Sequence, residues 1–84
     1  MRNFTTTEIL KFTEKEIDDL FINNTFEFET YSKIGENKYK FKAIILDQTL
    51  AINTKPFDLQ IIIIGETNII DLNIINIKSM KYIC

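Results

Sequence analysis

The densest apolar pattern in the chain lies in residues 57–77, where two isoleucine-rich runs flank a short polar segment. Four consecutive isoleucines at 61–64 lead into Gly-Glu-Thr-Asn at 65–68, and the second run follows directly. Branching at Cβ favours a pleated strand, and Gly and Asn favour turns. The pattern predicts a β-hairpin in which Ile64 faces Ile69.

This pairing gives the hairpin two faces, because side chains alternate along a strand. The first face is apolar and supplies a core, with Phe57, Leu59, Ile61, Ile63, Ile70, Leu72 and Ile74. The second face carries four polar residues, namely Asp58, Gln60, Asp71 and Asn73. Four further isoleucines also lie on this second face, so it is not simply a solvated surface.

A second hairpin is predicted from residues 25–34 and 39–46, which alternate around the turn at 35–38. Pairing Ile34 with Tyr39 brings the face with Phe28 onto the face with Phe41. A register one residue off would set Phe28 among lysines. Beyond this hairpin, residues 47–56 allow either a bulge near Asp47 and Gln48 or a loop that places Leu50 and Ile52 beneath the sheet, before a turn at 53–56.

Helix signals are confined to the N-terminal part of the chain. Thr5 with Glu8, and Thr13 with Glu16, both match the capping box in which a hydroxyl and a carboxylate bind free N–H groups. The second box predicts a helix from about Thr13 to Ile22. Residues 6–12 form either its first turns or a separate short helix.

These elements predict a single α+β domain over residues 1–84. The N-terminal helical segment packs on one face of a four-stranded, mainly antiparallel sheet, in the order α-β-β-β-β with two hairpins. The helix covers the face that contains Phe26, Phe41, Ile61 and Leu72. Residues 78–84 are expected to continue the last strand, with Met80 and Tyr82 alternating against Lys81.

The apolar side chains left on the opposite sheet face are the first candidate for function. They are Ile44, Leu46, Ile62, Ile64, Ile69 and Ile75. A contiguous exposed apolar patch on a small protein usually marks an association surface, either for a homodimer or for another partner. Alternatively, the segment with Leu50 and Ile52 or the C-terminal tail covers these side chains.

Composition argues against catalysis and against bound cofactors or metals. The chain has no histidine, one cysteine and two glycines, which excludes His-based nucleophile systems, Cys/His zinc sites and glycine-rich phosphate loops. Carboxylate pairs remain, Asp58 with Asp71 and Glu27 with Glu29, but a flat sheet surface rarely separates two carboxyl pKa values as acid–base chemistry requires. We therefore expect a protein that is not an enzyme.

Charge is distributed unevenly along the chain. Residues 1–30 carry seven acids and three bases, whereas residues 31–84 carry five acids and seven bases. Four acids at the start of the predicted helix either complement its dipole or present negative charge to a basic partner; they are Glu14, Glu16, Asp18 and Asp19. Lys33, Lys40 and Lys42 with Tyr31 either form a nucleic-acid-binding face or are solvated strand lysines that discourage edge pairing.

The leading hypothesis is a small non-catalytic protein-interaction module. Its size and acidity suit a protein that a phage or another mobile element uses to inhibit a host enzyme or a nucleic-acid-guided defence complex. The alternative is a nucleic-acid-binding accessory protein that uses the lysine-lined face. The lone Cys84 favours a reducing cytoplasm, and the longest apolar run of four residues, 61–64, is far below the length of about 20 that a membrane helix needs.

Overall fold

The computed structural model describes residues 3–34, 38–50 and 56–83, in which two short helices pack on one face of a six-stranded sheet. The α+β class is confirmed. In chain order the elements are β1 (Asn3–Phe4), α1 (Thr6–Ile9), α2 (Glu14–Phe21), β2 (Thr25–Ile34), β3 (Lys38–Gln48), β4 (Asp58–Ile63), β5 (Ile69–Asn73), a 3-10 helix (Ile74–Asn76) and β6 (Ile77–Tyr82). The strand order is β1-β6-β2-β3-β4-β5, and every neighbouring pair is antiparallel.

Both predicted capping boxes are present, and they begin two separate helices. Thr5 caps α1 and Thr13 caps α2, in each case with a reciprocal bond from the glutamate three residues later. The predicted helix at Thr13–Ile22 is thus observed as Glu14–Phe21, and residues 6–12 contain a helix of their own. Asn23 adopts a left-handed conformation with φ of 66° immediately after α2, which turns the chain into β2.

The predicted four strands are too few, because the C-terminal tail does not continue the last hairpin strand. β5 ends where the Asn73 side chain accepts a hydrogen bond from Ile75 N at 3.0 Å and caps the 3-10 helix. The chain then crosses the fold, and β6 inserts between β1 and β2. Residues 3 and 4 supply the sixth strand, a short edge beside β6.

The crossing from β5 to β6 requires a strongly curved sheet. In a flat sheet, strands four positions apart are separated by about 19 Å. The four-residue step from Asn73 to Ile77 reaches at most about 14 Å even when fully extended. The sheet therefore curls around its core, and its concave face is the one that α1 and α2 cover.

The register of the first hairpin differs from the predicted pairing of Ile34 with Tyr39. Ile34 lies opposite Lys38, and a bulge then places Phe28 opposite Phe41, where the predicted register would place it opposite Ile45. The two rings stack with centroids 5.4 Å apart. The bulge is stabilised by Thr30, whose buried hydroxyl donates to the Ser32 carbonyl at 2.7 Å. The shift is four residues, an even number, so the predicted faces are retained.

The second hairpin pairs Ile62, and not Ile64, with Ile69. This difference of two residues again preserves the predicted faces. The bulge predicted near Asp47 is present between Ile45 and Asp47, where β3 gains one residue against β4. Leu50 packs against the core. The predictions for Ile52, for residues 53–55 and for residues 35–37 of the first turn lie outside the described residues.

Aromatic side chains join the N-terminal segment to the sheet. Phe4, Phe12, Phe21 and Phe26 form a cluster of edge-to-face contacts, which we term the phenylalanine cluster, with centroids 5.0 to 6.1 Å apart. Edge-to-face geometry is favourable because ring edges are positive and ring faces negative. The cluster ties β1, α2 and β2 together at one end of the concave face.

The first residue of α1 holds the crossing connection in place. Thr6 Oγ1 lies 2.6 Å from the Ile77 carbonyl oxygen and 2.9 Å from the Ile74 carbonyl oxygen, so it donates to one of them at a time. One carbonyl belongs to the first residue of the 3-10 helix and the other to the residue after it, and Ile74 and Ile77 are themselves buried. Thr6 therefore links the N-terminal helix to the segment on which the curvature depends.

Replacing Thr6 with valine should lower the free energy of unfolding by about 1–3 kcal/mol, because the hydroxyl hydrogen bond to the Ile77 or Ile74 carbonyl is lost while side-chain shape is kept. Urea denaturation of Thr6→Val against the native protein measures this difference. Thr7→Val is the matched control, since Thr7 is the exposed neighbour in α1. Equal effects of the two substitutions would contradict the proposed role of the Thr6 hydroxyl.

Candidate interaction surfaces

An isoleucine row crosses three strands on the convex face of the sheet. Ile44 of β3 lies opposite Ile62 of β4, and Ile62 lies opposite Ile69 of β5. We refer to these three residues as the isoleucine row. Ile44 and Ile62 are half-buried by their neighbours, whereas Ile69 at the outer end is 60% exposed. The row therefore becomes more accessible towards β5.

Ile64 extends the apolar surface beside the row. Its backbone N–H donates to the Lys42 carbonyl at 2.9 Å, which continues the β3–β4 ladder by one pair. Gly65 follows with φ of 92°, a conformation that favours glycine, and turns the chain towards β5. The Ile64 side chain remains 58% exposed.

The other two predicted members of this face lie elsewhere. Leu46 is the extra residue of the β3 bulge and is half-buried. Ile75 belongs to the 3-10 helix and is 58% exposed beside a shallow groove of about 650 Å³, which it lines with Tyr31, Ser32, Asn73 and Asn76. Four of the six predicted residues thus form one group, the isoleucine row with Ile64, whereas Leu46 lies in the β3 bulge and Ile75 in the 3-10 helix.

The tail and the segment with Leu50 were the alternative covers for the isoleucine row. In the described part of the chain, neither of them lies over it. The tail forms β6, which pairs with β1 and β2 three strands away from β4. Leu50 contributes to the core on the concave side. The exposed fractions of Ile64 and Ile69 show that these side chains are open to solvent.

The four predicted acidic residues all lie exposed on α2, and three of them have structural partners. Glu16 accepts a hydrogen bond from the Thr13 backbone N–H at 2.9 Å and completes the capping box. Asp18 accepts one from Gln48 Nε2 at 3.1 Å. Asp19 pairs with Lys15 at 3.0 Å, an exposed i,i+4 pair of small energetic value.

These contacts leave α2 negatively charged. The four carboxylates face only one cation on the same helix, Lys15, so the helix carries a net charge of −3. Glu16 and Asp18 bind neutral N–H groups, which position the carboxylates without neutralising them. Glu16 therefore caps the helix, and all four carboxylates leave exposed negative charge on α2.

The predicted lysine face is interleaved with glutamates. Lys40 lies opposite Glu29, while Glu27 lies between Lys42 and Lys81 on the two neighbouring strands. Opposite charges across a ladder attract, so these pairs lower the positive potential that a phosphate backbone would meet. Lys81, which the sequence interpretation did not include, joins this face because β6 pairs with β2.

Tyr31 and Lys33 do not join Lys40 and Lys42 in one platform. Tyr31 is 64% exposed and lines the groove beside Ile75. The Lys33 ammonium lies 5.7 Å from the centroid of the Tyr39 ring, within cation–π distance. The aromatic side chain expected to stack on a base is thus directed to a different part of the surface.

Asn76, which lines the groove beside Ile75, forms two hydrogen bonds to the end of β2. Its side-chain oxygen accepts from Ser32 N at 2.7 Å, and its amide nitrogen donates to the Ser32 carbonyl at 3.4 Å. Asn76, Thr6 and the edge position of β5 were not predicted from the sequence. Two asparagines flanking Ile-Ile in the run Asn73–Asn76 were the available signal, because asparagine side chains commonly bind nearby backbone and interrupt strands.

Within residues 3–34, 38–50 and 56–83, no group of three or more His, Cys, Asp or Glu side chains is placed to hold a metal ion. Neither described helix has the length and apolar character needed to cross a bilayer. Comparisons with protein-family models, with curated proteins and with solved structures found no match to this chain. The assignment of function therefore depends on the surfaces themselves.

Glu16→Lys should lower the free energy of unfolding by about 0.5–2 kcal/mol, because lysine cannot accept the Thr13 N–H bond and places a cation at the positive end of the helix. Glu16→Gln should keep most of that stability, since glutamine can complete a capping box. Thermal unfolding of both variants measures the contrast. A glutamine variant as unstable as the lysine variant would show that charge alone, and not the cap, matters there.

The native protein should not shift single-stranded or duplex oligonucleotides in a gel at low salt, because glutamates alternate with lysines on the only lysine-rich sheet face among the described residues. Glu27→Gln with Glu29→Gln removes both interleaved negative charges. This double variant is therefore the control in which nucleic-acid binding by the lysines is easiest to detect. A shift by the native protein that Lys40→Gln and Lys42→Gln abolish would instead support nucleic-acid binding.

Proposed function

We propose that this protein is a non-catalytic protein-interaction module. The observation that carries the proposal is the exposed apolar group on the convex sheet face, the isoleucine row together with Ile64. Isolated exposed apolar residues are normal on protein surfaces. Here four β-branched side chains adjoin one another across three strands, and an association that covers them would remove that apolar surface from water.

The acidic helix supports a more specific partner class. α2 lies on the concave side, so its negative surface is opposite the isoleucine row and both can be engaged at once. A net charge of −3 on one short helix fits a partner with a basic groove. Proteins that bind nucleic acid present such grooves, and a carboxylate-bearing helix can occupy them in place of phosphates.

This charge complementarity is the basis for the biological role within the proposal. We place the protein among small inhibitors that phages and other mobile elements direct against a host enzyme or a nucleic-acid-guided defence complex. Inhibition then follows from occupancy of the basic groove and needs no chemistry. Action in the reducing cytoplasm agrees with the single cysteine of the sequence.

Affinity capture from a lysate of the native host, with captured proteins and nucleic acids both identified, tests the proposal. We expect retention of a basic protein that decreases severalfold as salt rises from about 0.1 to 1 M, because the Debye length falls from about 10 to 3 Å. Glu14→Gln with Glu16→Gln should reduce capture similarly, and the glutamine at position 16 can retain the capping box.

Glu27→Gln with Glu29→Gln is the matched control for capture, because it removes the same charge from the convex face. Its capture of the basic protein should equal that of the native protein. Capture that neither salt nor the α2 double variant changes would contradict the acidic-helix interaction. Capture of nucleic acid without any protein would contradict the interaction module as a whole.

A further inference from the structure

A hollow of about 270 Å³ lies between the C-terminal half of α2 and the end of β6. Five residues from β1, α2, the turn before β2 and β6 line it, namely Phe4, Asp19, Leu20, Asn24 and Tyr82. Phe4 is buried and Leu20 is half-buried, so both supply apolar surface to the hollow. Asp19 and Tyr82 are exposed. The hollow therefore combines an apolar lining with an accessible carboxylate and an accessible aromatic ring.

Contacts within the chain hold two of these lining side chains in place. Asn24 Nδ2 donates to the Leu20 carbonyl at 2.8 Å, which orients the amide and leaves its oxygen as an acceptor. The Tyr82 ring contacts the Phe26 ring edge-to-face, with centroids 5.5 Å apart, yet Tyr82 remains 39% exposed. The acceptor and the ring are thus positioned before any ligand binds.

The hollow also lies at the negative end of α2. Backbone carbonyls at the C-terminus of a helix attract cations, but the last turn of α2 has no basic side chain. Asp19 adds a full negative charge there. It pairs with Lys15 at 3.0 Å, but the two side chains are 63% and 84% exposed, and an exposed pair of this kind is weak enough to exchange for another cation.

We propose that this hollow binds an arginine side chain of the basic partner protein. The guanidinium group donates to the Asp19 carboxylate and stacks on the Tyr82 ring. The methylene groups of the arginine contact Leu20 and Phe4. This inference rests on the proposed function in taking a basic protein as the partner, and it names the side chain that anchors that partner beside α2.

The chemistry of the lining favours arginine over other side chains. An anionic side chain would meet the Asp19 carboxylate and the negative end of α2. An apolar side chain would cover these acceptors without giving them a donor, which is unfavourable. Lysine carries a compact charge and has no planar group to stack on Tyr82. Arginine alone satisfies the carboxylate, the amide oxygen and the ring together.

A titration of the ¹⁵N-labelled protein, followed by NMR, tests the proposal with the peptide acetyl-Gly-Arg-Gly-amide. We expect shifts of the backbone signals at the hollow, with a dissociation constant of about 1 mM. The same peptide with citrulline in place of arginine keeps the shape but loses the charge, and it should bind at least about tenfold more weakly. The lysine peptide should bind at least about threefold more weakly.

Three results of this titration would overturn the proposal. The first is the absence of binding up to about 10 mM arginine peptide. The second is binding of the lysine or citrulline peptide as tight as that of the arginine peptide. The third is a set of shifts confined to other surfaces, such as the convex face around Glu27 and Glu29.

Variants of α2 separate a specific carboxylate contact from general attraction to an acidic helix. Asp19→Asn should raise the dissociation constant of the arginine peptide at least about fivefold. Asp18→Asn is the matched control and should raise it less than about twofold, because it removes the same charge outside the hollow and can still accept from Gln48. Equal effects of the two substitutions would overturn the arginine site.

Lys15→Gln gives a prediction of the opposite sign. It removes the cation that pairs with Asp19, so the arginine peptide should bind more tightly than to the native protein. Unchanged or weaker binding would show that Asp19 is not the group that receives the guanidinium.

Substitutions at Tyr82 test the stacking contact. Tyr82→Phe keeps the ring and should bind the arginine peptide as the native protein does, whereas Tyr82→Leu should bind it at least about threefold more weakly. Equal binding by the two variants would overturn the stacking contact. Asp19 and Asp18 are exposed, so the test of the carboxylate does not depend on the folding of Tyr82→Leu.

These outcomes are separable from those of the capture experiment. Binding of the arginine peptide at the hollow without capture of any basic host protein would support the arginine site and overturn the proposed function. Capture that depends on Glu14 and Glu16, but that Asp19→Asn leaves unchanged, would overturn the arginine site and leave the interaction module standing.

Discussion

The short crossing from β5 to β6 is the constraint on which the fold depends. Three residues in a 3-10 helix connect strands four positions apart, so the sheet must curl until its ends approach. Thr6 holds this connection from the helical side, and Asn76 holds it from the end of β2. The curl gives the sheet a concave face that the phenylalanine cluster and two short helices can fill, so a chain of 84 residues builds a core without a disulfide.

Curvature also separates the two faces chemically. The apolar core lies on the concave side, where the largest side chains are fully buried. The convex face is then free to carry alternating lysines and glutamates at one end and isoleucines at the other. Function in this protein is proposed on side chains outside the core, namely the isoleucine row with Ile64 and the exposed carboxylates of α2.

Much of this could be predicted from the sequence, because strand and helix periods are local. Spacing alone predicts the two capping boxes, both hairpins and the faces of the hairpin strands. The observed registers differ from the predicted ones by two and four residues. These faces are nevertheless unchanged, because both numbers are even. The candidate surfaces were predicted in the same way. The acidic residues Glu14, Glu16, Asp18 and Asp19 are exposed, and Ile44, Ile62 and Ile69 share the predicted face.

The sequence by itself thus determined which side chains turn inward and which turn outward. Only the tertiary structure decided which strands meet outside the two hairpins, because a β6 strand can satisfy its backbone beside any open edge and local pattern does not choose among them. Pairing β6 with β2 left β5 as an edge, brought Lys81 beside Glu27 and moved Ile75 away from the isoleucine row. Those long-range pairings depend on the curl of the whole sheet, which no short stretch of residues encodes.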